Sequence, residues 1–253
     1  EAEATKLALE IAANVMRSLS SITAEGTAFE VDADLRPEGR NGPLSRSLDS
    51  YREYWGRWSE PWEHQALLKA RHVAGDRDLG GRLVEAAQPY AYPDDFDDAR
   101  TMAMRRMKAR LEKERIKRRT DPERHLKLGP GGLSDVEWTV QLLQQRHGAE
   151  QPMVRSTNTA EALDALQDDS VLDHRDAEWL RAGYEYLSLI RNRLYLLRHR
   201  NVDVLPSSHP QLETLARSMG YGRGAWQELE DDRRRHARHV RQVCQRVFYG
   251  VED

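Results

Sequence analysis

A stripe of apolar side chains runs through residues 176–199 at intervals of three and four positions. That spacing puts the stripe on one face of an α-helix, and such a face has to be buried against other elements. The chain is also 32% charged and only 7% aromatic, which favours long solvated helices packed as a bundle over a β-sandwich. The stripe consists of Leu180, Tyr184, Leu187, Ile190, Leu194 and Leu197.

Helical spacing recurs along most of the 253 residues. It predicts helices over residues 4–20, 48–58, 61–75, 77–89, 95–117, 134–147, 158–168, 176–199, 210–219 and 224–248. Residues 29–35 instead alternate apolar and polar side chains, which predicts a half-buried strand. We therefore expect a mainly α fold, with a helical bundle behind the tail end of an α/β unit.

Charge and cysteine content limit the partners and the compartment. The net charge is −3, so the chain has no overall electrostatic preference for nucleic acid or a membrane surface. One cysteine, Cys244, cannot form a disulfide framework, and we expect a reducing cytoplasm. The apolar stretch LALEIAANVM contains Glu10 and is too short to span a bilayer. The chain begins without Met inside a helical pattern, so we expect a fragment of a longer protein.

The segment FEVDADLRPEGRNGPLSR, residues 29–46, contains the first candidate site. On a strand, Asp32 and Asp34 face the same side and could share a hard cation such as Mg²⁺. Arg36 would lie on that face, where it could meet a phosphate or pair with the acids. The alternative, which the spacing alone favours, is a solvent-facing polar edge.

The segment GPGGLSDVEW, residues 129–138, contains the second candidate. Glycines before a helix N-terminus favour anion binding. However, Asp135 and Glu137 open a helix and point about 200° apart, so they do not form a metal pair. We predict that Ser134 caps the helix in a capping box with Glu137. The alternative, a ligand-facing Glu137, stays open.

Two further features carry less chemistry. The basic run at residues 105–119 could contact nucleic acid or an acidic partner, but it also contains Glu112 and Glu114, and a solvated helix face is the expected reading. His236 and His239 share a helix face without acidic or cysteine partners at ligand spacing, so we do not expect zinc.

Three motifs taken together resemble the glutamine synthetase adenylyltransferase family. They are VDADLRPEGRNGPL, WEHQALLKARHVAGD and KLGPGGLSDVEWTVQ, in the order and spacing of that family. The WEHQAL form and the ending VFYG are more similar to its C-terminal, adenylylating half than to its N-terminal, deadenylylating half.

The resemblance implies a nucleotidyltransferase-like α/β core followed by a helical bundle. Residues 1–46 would be the C-terminal part of the core, and residues 47–253 the bundle. Three carboxylates serve such a core: two from a Gly-Ser…Asp-x-Asp segment, which we expect upstream of residue 1, and one from the strand VDxxLRP.

The resemblance also assigns candidate roles to single residues. Asp32 matches the third carboxylate, which is catalytic and binds Mg²⁺, whereas Asp34 stands where the family does not keep an acid. The residues implied to bind ATP are Arg36 of LRP, the loop residues Gly39 and Gly42, and Glu137 of the GGxxDxE segment.

The implied reaction transfers AMP from ATP to a tyrosine of glutamine synthetase, and the chain alone would be catalytically incomplete. Glutamine synthetase, ATP and a PII-type signalling protein are the expected partners, with no nucleic acid and no membrane. An alternative from another class is a regulatory module that docks glutamine synthetase or the PII-type protein without chemistry. A third, kinship with PII uridylyltransferases, implies a His-Asp hydrolase domain after the bundle, and the sequence has no His-Asp dipeptide.

Overall fold

The computed structural model describes residues 2–116 and 120–251. The chain divides into two compact units, Glu1–Ala91 and Tyr92–Asp253. Most described residues are helical, as the apolar spacing predicts. The sequence predicts that residues 1–46 are part of a nucleotidyltransferase-like core and that residues 47–253 are a bundle. This division stays a prediction.

The first unit contains four α-helices, a short 3-10 turn at Gly39–Asn41 and one small hairpin among its described residues. Helices α2 (Leu48–Arg57) and α4 (Arg77–Ala91) bury Tyr54, Trp55 and Ala87 in a common apolar cluster. Helix α1 (Ala2–Ser20) leaves its apolar stripe of Leu7, Ile11 and Val15 exposed. The elements are α1 Ala2–Ser20, β1 Ile22–Thr23, β2 Gly26–Thr27, α2 Leu48–Arg57, α3 Pro61–Leu67 and α4 Arg77–Ala91.

The second unit is a helical bundle, and its longest described helix is α8, His174–Arg198. The stripe of α8 is buried at Leu180, Leu187, Ile190 and Leu194, but Leu197 at its end is 40% exposed, so the predicted burial stops before it. The elements are α5 Asp98–Arg115, α6 Leu133–His147, α7 Thr159–Asp168, α8 His174–Arg198, α9 His209–Ser218, α10 Trp226–Val243 and a π-helical turn Cys244–Phe248.

The strand predicted at residues 29–35 does not form. The alternation offers an apolar face, but Phe29 and Leu35 are both 67% exposed. Among the described residues, β1 and β2 pair only with each other, in a two-stranded antiparallel hairpin. A strand needs a partner strand for its backbone hydrogen bonds. No strand in the described part of the chain pairs with residues 29–35, so the segment is irregular and ends in turns.

Two helix predictions also need correction. The helix expected over residues 61–75 ends at Leu67 and unwinds through short turns to Ala70. Beyond it Val73 is exposed and Gly75 has φ +90°, so the segment has neither an apolar face to bury nor helical backbone. The N-cap of α6 is Gly132 rather than Ser134, and the capping box predicted there is wrong.

Candidate functional site

The loop of residues 32–42 carries the predicted third carboxylate, and Arg36 holds the loop together. Its Nη1 donates to the carbonyl of Ala33 at 2.7 Å, Nε to that of Gly42 at 2.9 Å, and Nη2 to that of Arg40 at 3.2 Å. Three backbone carbonyls therefore fix the guanidinium. Arg36 determines the loop conformation here, and a role in binding ATP has to coexist with that bonding.

The two aspartates of this loop have different partners. The Oδ1 atom of Asp32 accepts a hydrogen bond from the backbone N–H of Asp34 at 2.9 Å. The Oδ2 atom of Asp34 accepts from Nε of Arg40 at 2.7 Å, and this contact raises the pKa of Arg40. Asp32 is exposed, and its other oxygen has no partner among the described residues, whereas Asp34 is engaged in an ion pair.

Gly39 and Gly42 allow the loop to close. Gly39 has φ +56°, a conformation that L side chains rarely adopt. A Cβ atom on Gly42 would lie 2.0 Å from the carbonyl oxygen of Pro37. Both glycines are therefore required by loop geometry, and binding of ATP by them stays a prediction.

Asp32 is suited to be one ligand of a Mg²⁺ site that other carboxylates complete. A carboxylate oxygen is the kind of ligand that Mg²⁺ prefers, and Asp32 offers one that is exposed. Over residues 2–116 and 120–251, however, no group of three or more His, Cys, Asp or Glu side chains could hold a metal ion. Other carboxylates would have to complete the site.

The glycine turn before α6 packs tightly inside the second unit. Gly131 has φ +70°, and a Cβ there would lie 1.9 Å from the backbone oxygen of Ala237 in α10. Its N–H donates to Oδ2 of Asp135 at 2.8 Å. The glycines of this motif thus let the turn lie directly against the backbone of α10.

Asp135 is the centre of a buried ion cluster that sequence reasoning missed. Asp135 and Lys108 are each 1% exposed and are ion-paired. Glu112 also pairs with Lys108, and Nη1 of Arg241 lies 3.2 Å from Oδ2 of Asp135. Burial acts to lower the pKa of Lys108, but Asp135 and Glu112 outweigh it and raise that pKa. These charges therefore have a structural role.

The cluster corrects the interpretation of the basic run at residues 105–119. Its middle is not wholly a solvated face, because Lys108 points inward with Thr101 and Met104. The helical spacing of these three residues was the available signal. Residues 117–119 of the run lie outside the described residues.

Cys244 and Glu137 are the last two residues that the sequence singled out. Burial raises the pKa of the Cys244 thiol to about 12, so the thiol is protonated and unreactive near neutral pH. Glu137 is half-buried on α6 and makes no hydrogen bond or ion pair within the part of the chain that the structure describes. Asp32 and Glu137 belong to different units.

In the described residues, no helix is long and apolar enough to cross a membrane.

Two family models match consecutive stretches of the chain. Residues 1–86 match the model described as glutamate-ammonia ligase adenylyltransferase. Residues 103–248, more than half of the chain, match the model described as GlnD PII-uridylyltransferase. The second match supports the third interpretation of the sequence, a relationship to PII uridylyltransferases.

Individual relatives align through both stretches and carry one name, bifunctional glutamine synthetase adenylyltransferase/adenylyl-removing enzyme. The relative from Cutibacterium acnes is 44% identical over 93% of this chain and 24% of its own length. That from Streptomyces avermitilis is 44% identical over 99% of the chain and 25% of its own length. That from Mycobacterium leprae is 42% identical over 98% of the chain and 25% of its own length.

The chain thus spans about a quarter of the length of the curated relatives it matches. Residues 103–248 belong to the family described as GlnD PII-uridylyltransferase. Over its whole length, through both matched stretches, the chain belongs to the glutamine synthetase adenylyltransferase family.

Proposed function

We propose that this chain is part of an enzyme that transfers AMP from ATP to a tyrosine hydroxyl of glutamine synthetase. One observation carries the proposal. Nearly the whole chain, through both matched stretches, aligns with about a quarter of the length of relatives named bifunctional glutamine synthetase adenylyltransferase/adenylyl-removing enzyme. The chain would contribute the last part of a nucleotidyltransferase-like core and the helical bundle behind it. The single buried cysteine suits a reducing cytoplasm.

Asp32 is the residue to which we assign chemistry. Its unpartnered carboxylate oxygen would be a ligand of Mg²⁺, and its position at the exposed turn leaves it accessible to substrate. Mg²⁺, when bound, neutralises charge on the triphosphate and stabilises attacking and leaving oxygens in an in-line displacement. Asp32 could also take the proton of the attacking tyrosine hydroxyl.

The other loop residues would position that carboxylate and the nucleotide. Arg36 ties three carbonyls of the loop together, so it fixes the turn that presents Asp32. Gly39 and Gly42 allow the backbone to approach a phosphate closely. For Glu137 we propose a ligand-facing role, supported by its half-buried position without a described partner.

The chain alone should turn over hardly at all, because one carboxylate cannot hold a metal–triphosphate complex. The test mixes glutamine synthetase, Mg²⁺ and α-labelled ATP with the chain, or with a longer polypeptide that also supplies the Gly-Ser…Asp-x-Asp segment. We expect label on the synthetase tyrosine only with the longer polypeptide.

Asp32→Asn in the longer polypeptide should abolish labelling, and Asp34→Asn is its matched control. Asp34 lies two residues away in the same loop and is engaged with Arg40, so its substitution should leave most of the activity. Labelling by the Asp32→Asn variant at the wild-type rate would overturn the assignment, as would full activity of the chain alone.

A second candidate is a docking module that binds without chemistry. The observation that favours it is the match of residues 103–248, within the second unit, to a model named for PII-uridylyltransferase. Such a module would bind glutamine synthetase or a PII-type protein in EDTA and without ATP. Binding under those conditions, combined with no labelling by the longer polypeptide, would replace the enzyme proposal with this one.

A further inference from the structure

A groove lined by arginines lies along α10 in the second unit. It has a volume of about 430 Å³ and is bounded on one side by Pro130 of the glycine turn. Glu123 is the one acidic residue among the described residues that line it. The arginines that line it are Arg233, Arg234, Arg238 and Arg241.

Two of these arginines are engaged by acidic neighbours. Arg234 lies 3.4 Å from Asp231 and 3.8 Å from Glu230. Arg241 lies 3.2 Å from Asp135 of the buried cluster. The protein itself therefore partly balances their charge. Arg234 and Arg241 add positive charge to the groove, but their N–H groups are less available to a ligand.

Arg233 and Arg238 are different. Within residues 2–116 and 120–251, neither forms an ion pair, and Arg238 is exposed on the groove. Arg233 is 6% exposed, and its Nη1 donates to the backbone oxygen of Glu123 at 2.9 Å. The Nε atom of Arg233 is buried and has no hydrogen-bond partner among the described residues.

A buried donor without an acceptor is unfavourable, and native proteins rarely keep one without a reason. The electrostatics agree: burial lowers the pKa of Arg233, with Arg234 and Arg124 adding to the shift and Glu230 opposing it. An anion in the groove would supply negative charge beside Arg233 and Arg238, which form no ion pair within the described residues.

The dimensions and the donor type indicate which anion. A groove of this volume lies in the range of about 300–1,000 Å³ that small-molecule sites occupy. Guanidinium groups present planar sets of N–H donors that match phosphate oxygens. We propose that this groove binds a phosphate-bearing small molecule of nucleotide size or less, with Arg238 as its direct donor and Arg233 as a positive charge in its wall.

The residues lining this groove are different from those proposed for the transfer chemistry. The groove lies wholly in the second unit and uses no residue of the Asp32 loop. It also gives the glycine turn a second role, because the contact of Gly131 with Ala237 places Pro130 beside the arginine row. The groove could exist in an enzyme and in a docking module alike.

The test is calorimetric titration of the 253-residue chain with sodium triphosphate in EDTA, without Mg²⁺. We expect binding that weakens as NaCl rises from 50 to 500 mM, because screening acts on exposed charges. Arg238→Ala should weaken binding at least tenfold, Arg238→Glu should abolish it, and Arg238→Lys should fall between wild type and Ala. Unaltered binding in Arg238→Glu, or no binding by the wild type, overturns the proposal.

Two controls keep the readout specific. Arg217→Ala removes another exposed helical arginine that does not line the groove, and it should bind triphosphate like wild type. Circular dichroism of each variant checks that the helices persist.

Repeating the titration with ATP distinguishes recognition of the phosphate chain from recognition of the nucleoside. Equal dependence of ATP and triphosphate on Arg238 supports recognition of the phosphate chain. ATP binding that depends on Arg238 while triphosphate fails to bind would mean that the nucleoside is recognised instead, and would overturn the proposal as stated.

Discussion

Asp32 and Asp135 both lie beside a glycine-containing turn, yet their surroundings are opposite. Asp32 is exposed and accepts one backbone hydrogen bond. Asp135 is 1% exposed and is bound by Gly131, Lys108 and Arg241. A carboxylate whose oxygens are all engaged cannot bind a ligand, whereas one with a free oxygen contributes little to the fold. The same residue type thus serves stability in the second unit and is available for chemistry in the first.

The largest expected effect comes from removing the buried member of this pair. Asp135→Ala leaves Lys108 buried without its main partner, and breaking a buried ion pair costs about 3–5 kcal/mol. Asp32→Asn, at an exposed turn, should change the free energy of unfolding by less than about 0.5 kcal/mol. Urea denaturation of the wild type and the two variants measures both changes in the free energy of unfolding.

Equal losses of stability in Asp135→Ala and Asp32→Asn would break the comparison. It would mean that the Asp32 loop supports the fold as strongly as the ion cluster does.

A smaller effect is expected from filling the two turns. Gly131→Ala combines φ +70° with a Cβ placed 1.9 Å from the backbone of α10, and should destabilise by about 2–3 kcal/mol. Gly42→Ala brings a Cβ equally close to Pro37, but Gly42 has φ −80°, a conformation open to any residue, so the loss should be smaller, about 1–2 kcal/mol. Thermal unfolding of both variants ranks them, and a larger loss in Gly42→Ala would contradict the ranking.

The smallest effect expected is a dependence of stability on pH in the second unit. His236 stacks on Tyr186 at 4.6 Å and His239 on Trp179 at 4.2 Å. Burial lowers the pKa of both imidazoles. For His236, Arg235 and His239 add to the shift and Asp232 opposes it; for His239, Arg238 and Arg235 add to it.

A folded-state pKa below the ordinary value of about 6.5 means that protonation favours the unfolded chain. Stability should be fully present above about pH 6.5 and should fall as the pH drops through the folded-state pKa values. Urea denaturation at pH 7.5 and 5.5 measures this loss. The double variant His236→Gln/His239→Gln should lose less between the two pH values, and an equal loss would assign the pH dependence to other groups.

Local patterns predicted much of this fold because a helix is specified by its own residues. The predicted helices from residue 134 onward agree with the structure to within a few residues. The family membership was also recognisable, since three motifs in order identify it. The strand at residues 29–35 failed because a strand depends on a partner that its own sequence does not contain.

The candidate site was predictable only in part, for the same reason. Asp32 could be named from its motif, but the three carbonyls that hold Arg36 could not. Lys108 and Asp135 are 27 residues apart, and Asp135 and Arg241 are 106 apart. No periodicity connects such positions, so a buried lysine was taken for part of a solvated face.

The closure of the glycine turn against α10 also affects the order in which the second unit can form. Gly131 packs on Ala237, so the turn reaches its final packing only after most of α10 has been synthesised. Non-local contacts of this kind raise the contact order and slow folding. During translation, α5 and α6 would leave the ribosome before the last member of their charge cluster. The nascent unit would then carry Asp135 without Arg241 until its final helix docks.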